Sequence, residues 1–139
     1  MPLAKVLIVD DNQDLAHALE LRLRANDYQI LLAPDGSSAF ALALAEKPLA
    51  VLLDLHLARE DGFAVMQELH TSPALSSLPI IIVSADCSAV TQQRVLDAGA
   101  YAFLEKPVNH RLLLSILRIL HLPSQDSACA MVTAHPCPL

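Results

Sequence analysis

The stretch that most constrains the fold is an uninterrupted apolar run ending on a carboxylate, Leu49-Ala50-Val51-Leu52-Leu53-Asp54. Pro48 precedes this run, and an Asp61-Gly62 turn follows it. A continuous apolar run of this length predicts a strand buried on both faces, as found in parallel sheets covered by helices. In such sheets, ligand-binding groups collect beyond the carboxyl ends of the strands, where Asp54 lies. Taken alone, Asp54 is equally consistent with a site residue and with an aspartate that caps a turn.

Four further apolar runs alternate with segments of helical periodicity. Strands are predicted over residues 5–9, 28–33, 49–54, 80–83 and 101–104, and helices over 12–26, 37–46, 62–70, 88–98 and 109 to about 121. This alternation indicates an α/β protein with a doubly wound, five-stranded parallel sheet and helices on both faces. Residues 123–139 lack apolar periodicity, so we expect one domain over residues 1–122 followed by a mostly disordered tail.

Charge and composition exclude several classes of function. The chain carries 9 Lys and Arg against 15 Asp and Glu, a formal net charge of −6. Direct nucleic-acid binding is not expected, because it needs clustered positive charge. No apolar run reaches membrane-spanning length, and no signal peptide precedes the first strand. The three cysteines form no Cys-x-x-Cys pair, so we expect reduced thiols and a cytoplasmic protein.

Polar residues stand at the ends of four predicted strands: Asp10 and Asp11, Asp54, Ser84, and Lys106. The carboxyl ends of parallel strands lie at one edge of the sheet, so these side chains converge there. Two carboxylates about 4 Å apart repel each other by about 4 kcal/mol at an effective dielectric near 20. A divalent cation relieves that repulsion, and all-oxygen ligands favour Mg²⁺ or Mn²⁺. The set therefore predicts a site where a metal, a nucleophilic carboxylate and a phosphoryl group meet.

Five short motifs occur in order along the chain: Val9-Asp10-Asp11, Leu53-Asp54 with Asp61-Gly62, Ser84-Ala85, Asp97-Ala98-Gly99-Ala100 and Lys106-Pro107. Through them, residues 3 to about 122 resemble the receiver (chemotaxis-regulator-like) domain of bacterial two-component response regulators. The resemblance implies a flavodoxin-like receiver fold. It also implies a phosphoacceptor at Asp54, magnesium ligands at Asp10, Asp11, Asp54 and the His56 backbone carbonyl, and phosphoryl binding by Ser84 and Lys106.

Three further positions acquire roles from the same resemblance. His56 and Asp86 occupy the two positions that tune the lifetime of the phosphorylated state, although His56 is also consistent with a solvent-facing loop residue whose carbonyl alone matters. Phe103 falls where receivers carry a switch aromatic whose orientation follows Ser84, and a plain core residue is the alternative. Ala58 departs from the family pattern, which usually has a proline four residues after the phosphoacceptor, so we expect a looser loop.

The function implied by the resemblance is a signalling switch. A partner histidine kinase or phosphotransfer protein would phosphorylate Asp54, and the chain would catalyse only its own phosphorylation and dephosphorylation. One alternative is a magnesium-dependent phosphatase with an aspartyl nucleophile, but such enzymes usually need an acid where His56 stands. The other is a binding module that does not respond to phosphorylation, which the intact set of site residues disfavours.

The last predicted helix indicates where the signal leaves. Its apolar stripe suits contact with the sheet, whereas Leu114 falls among polar residues and is expected to be exposed. We therefore expect a downstream partner, or self-association, at the face made by the fourth helix, the fifth strand and this helix. The residues of the stripe are Leu112, Leu113, Ile116, Leu117 and Leu120.

Four histidines are expected to be solvated residues on helices, namely His17, His70, His110 and His121.

Overall fold

The computed structural model describes residues 3–57 and 60–121 and confirms the alternation of strands and helices. The strands are β1 (Lys5–Val9), β2 (Gln29–Ala33), β3 (Ala50–Asp54), β4 (Ile80–Ser84) and β5 (Ala102–Glu105). The helices are α1 (Gln13–Arg24), α2 (Gly36–Glu46), α3 (Gly62–Thr71), α4 (Ala89–Asp97) and α5 (His110–His121), with a 3₁₀ turn at Pro73–Leu75. The predictions made for Ala58 and for the tail over 123–139 lie outside the described residues.

The five strands form one parallel sheet in the order β2-β1-β3-β4-β5. Every residue of β3 and β4 is buried, as expected for strands covered by helices on both faces. Helices α2, α3 and α4 supply core residues to one face of the sheet, and α1 and α5 supply them to the other. The predicted doubly wound, flavodoxin-like fold is therefore confirmed.

The order of the strands places a crevice beside the end of β3. The chain leaves β1 through α1 on one face, and it returns from β2 to β3 through α2 on the opposite face. Connections that diverge in this way open a crevice outside the carboxyl ends of β1 and β3. Asp10 and Asp11 follow β1, and Asp54 ends β3, so the predicted acidic cluster lies at this crevice.

Short polar side chains begin the helices that surround this edge. The Asn12 side chain accepts hydrogen bonds from the backbone N–H groups of Asp14 and Leu15, which caps α1. Asp35, Asp61 and Ser88 cap α2, α3 and α4 in the same manner. In α5 the Asn109 side chain accepts a hydrogen bond from the Leu112 N–H. Asn12 and Asn109, the first residues of two of the predicted helical ranges, thus act as caps.

The apolar stripe of α5 faces the sheet as predicted, but the prediction that Leu114 is exposed is wrong. Leu113, Ile116 and Leu117 are buried. Leu114 is partly buried and packs against the same core cluster, because it lies three residues before Leu117 at the border of the stripe. The leucine-rich pattern instead leaves Ile119 45% exposed.

Two of the four helix histidines also depart from the prediction. His17 and His121 are exposed, as expected. The His70 ring is half-buried, with Nε2 lying 3.0 Å from the Leu78 carbonyl oxygen. The Nδ1 atom of His110 is buried and has no hydrogen-bond partner. Helical periodicity predicts the face of a helix on which a residue lies. It does not predict which residues of a neighbouring loop pack against that face.

One remaining sequence prediction concerns membrane-spanning segments. Among residues 3–57 and 60–121, no helix combines the length and the apolar character needed to span a membrane.

Candidate functional site

The end of β3 carries the central carboxylate of the site. Asp54 is 6% exposed, and its Oδ1 atom accepts a hydrogen bond of 3.1 Å from the His56 N–H. The Oδ2 atom lies 3.3 Å from the Lys106 ammonium nitrogen. The strand therefore positions Asp54 with one oxygen fixed by the chain that follows it and the other opposite a cation.

The end of β1 repeats this arrangement. Asp10 is 8% exposed, its Oδ1 accepts a hydrogen bond of 2.8 Å from the Asn12 N–H, and its Oδ2 lies 4.0 Å from Lys106 Nζ. Burial is the main cause that raises the pKa of the Asp10 carboxyl. The charges of Asp54 and Asp11 also raise this pKa, whereas the hydrogen bond from Asn12 and the charge of Lys106 lower it.

Carboxylate oxygens of Asp10, Asp11 and Asp54 all lie within 4.8 Å of one another. Lys106 Nζ lies 4.0 Å from Asp10 Oδ2 and 3.3 Å from Asp54 Oδ2, at the edge of this cluster. A donor set made only of oxygen atoms fits a hard divalent cation such as Mg²⁺ or Mn²⁺. The predicted convergence of the three acids and Lys106 is thus present.

The loop after β3 is fixed by backbone contacts. His56 forms an isolated antiparallel bridge with Asp61, and the Gly62 N–H donates to the Leu55 carbonyl over 3.0 Å. A Cβ atom added to Gly62 would lie 2.7 Å from the Leu55 Cα atom and 2.8 Å from the Asp54 carbonyl oxygen. Only glycine allows α3 to begin this close to the end of β3, which gives the Asp61-Gly62 motif its physical reason.

A second anchor of this loop escaped the sequence analysis. The Glu60 Oε2 atom accepts a hydrogen bond of 2.8 Å from the Gly36 N–H, at the first residue of α2. A carboxylate is stabilised at a helix N-terminus, where the backbone N–H groups are unpaired. The two residues lie 24 positions apart, and no local motif links them. The signal available in the sequence was an acidic residue in this loop, Glu60, together with a glycine, Gly36, at the start of another helix.

Ser84 ends β4 and is fully buried. Its Oγ accepts a hydrogen bond of 3.0 Å from the Asp86 N–H, so the hydroxyl is engaged with the loop that leads to α4. The Lys106 N–H donates to the Ser84 carbonyl over 2.9 Å, which joins the ends of β4 and β5. Phe103 is 3% exposed and packs in the core cluster on the side of α2, α3 and α4.

The two positions expected to tune lifetime differ in their environments. The His56 side chain is exposed. The Asp86 carboxylate accepts hydrogen bonds from the Ser88 N–H (3.1 Å) and the Thr91 hydroxyl (2.9 Å), which lie at the start of α4. The Ser88 and Thr91 bonds lower the pKa of Asp86, and the neighbouring His56 adds a smaller lowering effect. Asp86 therefore braces the N-terminus of α4.

Comparison with known proteins decides the family. The family model that describes the response regulator receiver domain matches residues 6–118 of this chain. The chain belongs to the response regulator receiver family. The match includes all eight residues that the sequence analysis assigned to the site, namely Asp10, Asp11, Asp54, His56, Ser84, Asp86, Phe103 and Lys106. This receiver resembles curated relatives over most of its own length but over only part of theirs.

Response regulator PleD of Caulobacter vibrioides is 32% identical over 117 residues, which cover 84% of this chain and 26% of PleD. Response regulator MprA of Mycolicibacterium vanbaalenii is 36% identical over 116 residues, covering 84% of this chain and 49% of MprA. Among solved structures, the chemotaxis protein CheY4 of Vibrio cholerae superposes with a TM-score of 0.79 and 26% identity, covering 85% of this chain and 98% of CheY4. A putative response regulator of Chloroflexus aurantiacus superposes equally well, with a TM-score of 0.79, 28% identity, and coverage of 86% and 98%.

Proposed function

We propose that this receiver takes a phosphoryl group from the phosphohistidine of a histidine kinase or phosphotransfer protein onto Asp54. The observation that carries the proposal is the cluster of three carboxylates within 4.8 Å of one another, with Lys106 Nζ 3.3 Å from Asp54 Oδ2. A structural cap would need one carboxylate and its N–H donors. Three carboxylates this close together, with Lys106 beside two of them, are better explained by a site that gathers a metal and a phosphoryl group.

Asp54 Oδ2 is the attacking oxygen in this proposal, because Oδ1 is held by the His56 N–H. It forms a bond to phosphorus while the bond from phosphorus to the donor imidazole nitrogen breaks. The electron pair of that bond returns to the imidazole ring, and the product on Asp54 is an acyl phosphate. Lys106 can turn from the carboxylate to a phosphoryl oxygen, since its ammonium group already lies between Asp10 and Asp54.

In this proposal Mg²⁺ would be held by Asp10, Asp11 and Asp54, together with the His56 backbone carbonyl expected from the family. When bound, it would supply positive charge to neutralise the incoming phosphoryl oxygens. The protein's own contribution is to fix the acids: Asn12 and His56 donate backbone N–H groups to Asp10 and Asp54.

Ser84 connects phosphorylation to the rest of the molecule. Its hydroxyl group, whose oxygen accepts the Asp86 N–H, would turn to donate a hydrogen bond to the acyl phosphate, and this rotation would lengthen the bond from Asp86. Asp86 braces α4, so this exchange passes from the site to that helix. Hydrogen bonds to a charged group contribute about 1.5–3 kcal/mol each, and inverting a 1:99 equilibrium takes about 5.5 kcal/mol. Two such bonds, from Ser84 and Lys106, supply most of that amount.

Intact-mass spectrometry after treatment with acetyl phosphate and Mg²⁺ tests the proposal. We expect a mass increase of one phosphoryl group that decays with time and is absent in Asp54→Asn or in excess EDTA. Labelling that persists in either control would contradict Asp54 as the acceptor or the metal requirement. Continuous release of phosphate from a small phosphomonoester would instead favour a phosphatase.

We further propose that the signal leaves through α4, β5 and α5, by binding a downstream protein or by self-association. Two apolar side chains on these helices support this surface: Val90 on α4 is 77% exposed, and Ile119 on α5 is 45% exposed. Arg118 is exposed on the same helix as Ile119. The hydrogen bonds that join Ser84 to Asp86, and Asp86 to Ser88 and Thr91, also lead to α4. A cytoplasmic location, where a kinase would meet this surface, remains an expectation from the sequence.

A further inference from the structure

The segment that joins β3 to α3 runs beside the acidic cluster and pairs with itself. His56 lies opposite Asp61 in an isolated antiparallel bridge, and its own N–H donates to Asp54 Oδ1. Because the His56 N–H is engaged in this way, neighbouring residues supply the hydrogen bonds of the bridge. One of them runs from the Gly62 N–H to the Leu55 carbonyl over 3.0 Å. The backbone position of His56 therefore depends on the chain that enters α3.

The Glu60 side chain joins this entering chain to helix α2. Glu60 is half-buried, and its Oε2 atom accepts the Gly36 N–H over 2.8 Å. A Cβ atom added to Gly36 would lie 2.5 Å from Glu60 Oε1 and 2.9 Å from Val65 Cγ2 on α3. The carboxylate therefore covers the Gly36 Cα atom, and only a residue without a side chain allows it to come this close.

Helix α2 already has a cap of its own. The Asp35 Oδ1 atom accepts the Ser38 N–H over 2.8 Å, and this bond is the main cause that lowers the pKa of the Asp35 carboxyl. A second carboxylate at the same helix end is attracted by the helix dipole but repelled by Asp35. The contact is thus better explained by what it does for the segment that carries Glu60 than by what it does for α2.

We propose that Glu60 is a positioning residue for the Mg²⁺ site. It holds the entry to α3 against the start of α2, which fixes the bridge partner of His56 and hence the His56 backbone carbonyl expected to bind the metal. Glu60 acts through His56 and is not a ligand itself, since the carboxylates that meet within 4.8 Å are those of the three aspartates. The inference rests on the Mg²⁺ site of the proposed function and adds to it a residue from outside the acidic cluster.

Metal binding and the contact with α2 then strengthen each other. If the contact raises the affinity for Mg²⁺ by a given factor, bound Mg²⁺ stabilises the contact by the same factor. The Gly36 N–H reports this coupling, because a hydrogen-bonded amide exchanges with solvent only when its bond opens. The start of α2 therefore senses the metal without touching it.

Three variants separate the hydrogen bond of Glu60 from its charge. Glu60→Met keeps the length of the side chain but removes acceptor and charge, whereas Glu60→Gln removes the charge and keeps an oxygen acceptor. Glu68→Met makes the same change as Glu60→Met at an exposed position of α3. The Mg²⁺ dissociation constant, followed by amide resonances of the ¹⁵N-labelled full chain, should rise about ten-fold in Glu60→Met. It should rise less than about two-fold in Glu60→Gln and stay unchanged in Glu68→Met.

Exchange of the Gly36 amide tests the same inference in the parent protein, where no variant has to fold. Saturating Mg²⁺ should slow this exchange about ten-fold in the parent and leave it unchanged in Glu60→Met. Acetyl phosphate labelling adds a third measurement. Glu60→Met should label more slowly than the parent at low Mg²⁺ concentration and at the parent's rate at saturating Mg²⁺, because the residue acts through metal affinity.

The outcomes distinguish this inference from the proposed function. Equal Mg²⁺ affinity in Glu60→Met and the parent, equal losses in Glu60→Met and Glu60→Gln, or Gly36 exchange that does not respond to Mg²⁺ would overturn the positioning role. Mg²⁺ binding with the expected order of variants but no labelling of Asp54 would refute the proposed function and leave the positioning role intact. A parent protein that binds no Mg²⁺ would refute both.

Discussion

Removing one charge from the acidic cluster should stabilise the metal-free protein. In Asp10→Asn, the amide oxygen can still accept the Asn12 N–H, so the main change is the loss of a negative charge. Asp10 lies within 4.8 Å of two carboxylates and 4.0 Å from Lys106 Nζ. At an effective dielectric near 20, each of the two repulsions is about 3.5 kcal/mol and the attraction to Lys106 is about 4 kcal/mol. Removing the charge therefore gains up to about 3 kcal/mol, and solvent screening lowers this to about 1–2 kcal/mol.

Urea denaturation in EDTA at pH 7 measures this gain, with Glu68→Gln as a control that removes one charge from an exposed position on α3. The raised pKa of Asp10 means that the folded protein binds its proton more tightly than the unfolded chain. This group stabilises the fold at pH values below its unfolded pKa, and the contribution is lost as pH rises through the folded pKa. The advantage of Asp10→Asn should thus shrink as the pH is lowered.

Saturating Mg²⁺ should reverse the order, because a metal that binds only the folded state stabilises the parent protein and not a variant lacking a ligand. A variant no more stable than the parent in EDTA would refute the close, repulsive cluster. A gain equal to that of Glu68→Gln would refute it as well, since it would reflect net charge alone.

Three other substitutions test separate parts of the molecule. His56→Ala should change the half-life of the phosphorylated protein. Asp86→Ala should change that half-life and also lower the thermal midpoint, because α4 loses the hydrogen bonds that Ser88 and Thr91 donate to Asp86. Decay and denaturation curves equal to the parent's would reject both roles. Gly62→Ala should destabilise the fold by more than about 2 kcal/mol, because its Cβ would lie 2.7 Å from the Leu55 backbone; an unchanged thermal midpoint would contradict this close packing. Arg118→Glu should weaken phosphorylation-dependent association, measured by analytical ultracentrifugation or kinase binding; normal association with normal Asp54 labelling would place the output surface elsewhere.

The sheet and the acidic cluster could be predicted because both follow from local patterns. Buried parallel strands are continuous apolar runs, and the carboxylates of Asp10 and Asp54 stand where such runs end. The hydrogen bonds between Asp86 and the start of α4 could also have been predicted, since serine and threonine follow Asp86 at positions 88 and 91. By contrast, the burial of His110 Nδ1 and the hydrogen bond between Glu60 and Gly36 depend on tertiary packing. Such contacts join residues far apart in the chain, and periodicity contains no information about them.

The contact between Glu60 and Gly36 helps to hold the segment between β3 and α3. Family members usually restrict this loop with a proline ring, but this sequence has Ala58 at that position. Here part of the restraint comes from a carboxylate bound to the N-terminus of α2, with Glu60 Oε2 accepting the Gly36 N–H over 2.8 Å. A ring restrains the backbone through covalent bonds, whereas a hydrogen-bonded carboxylate depends on the position of its donor. The segment between β3 and α3 is therefore tied to the start of α2, 24 residues earlier in the chain.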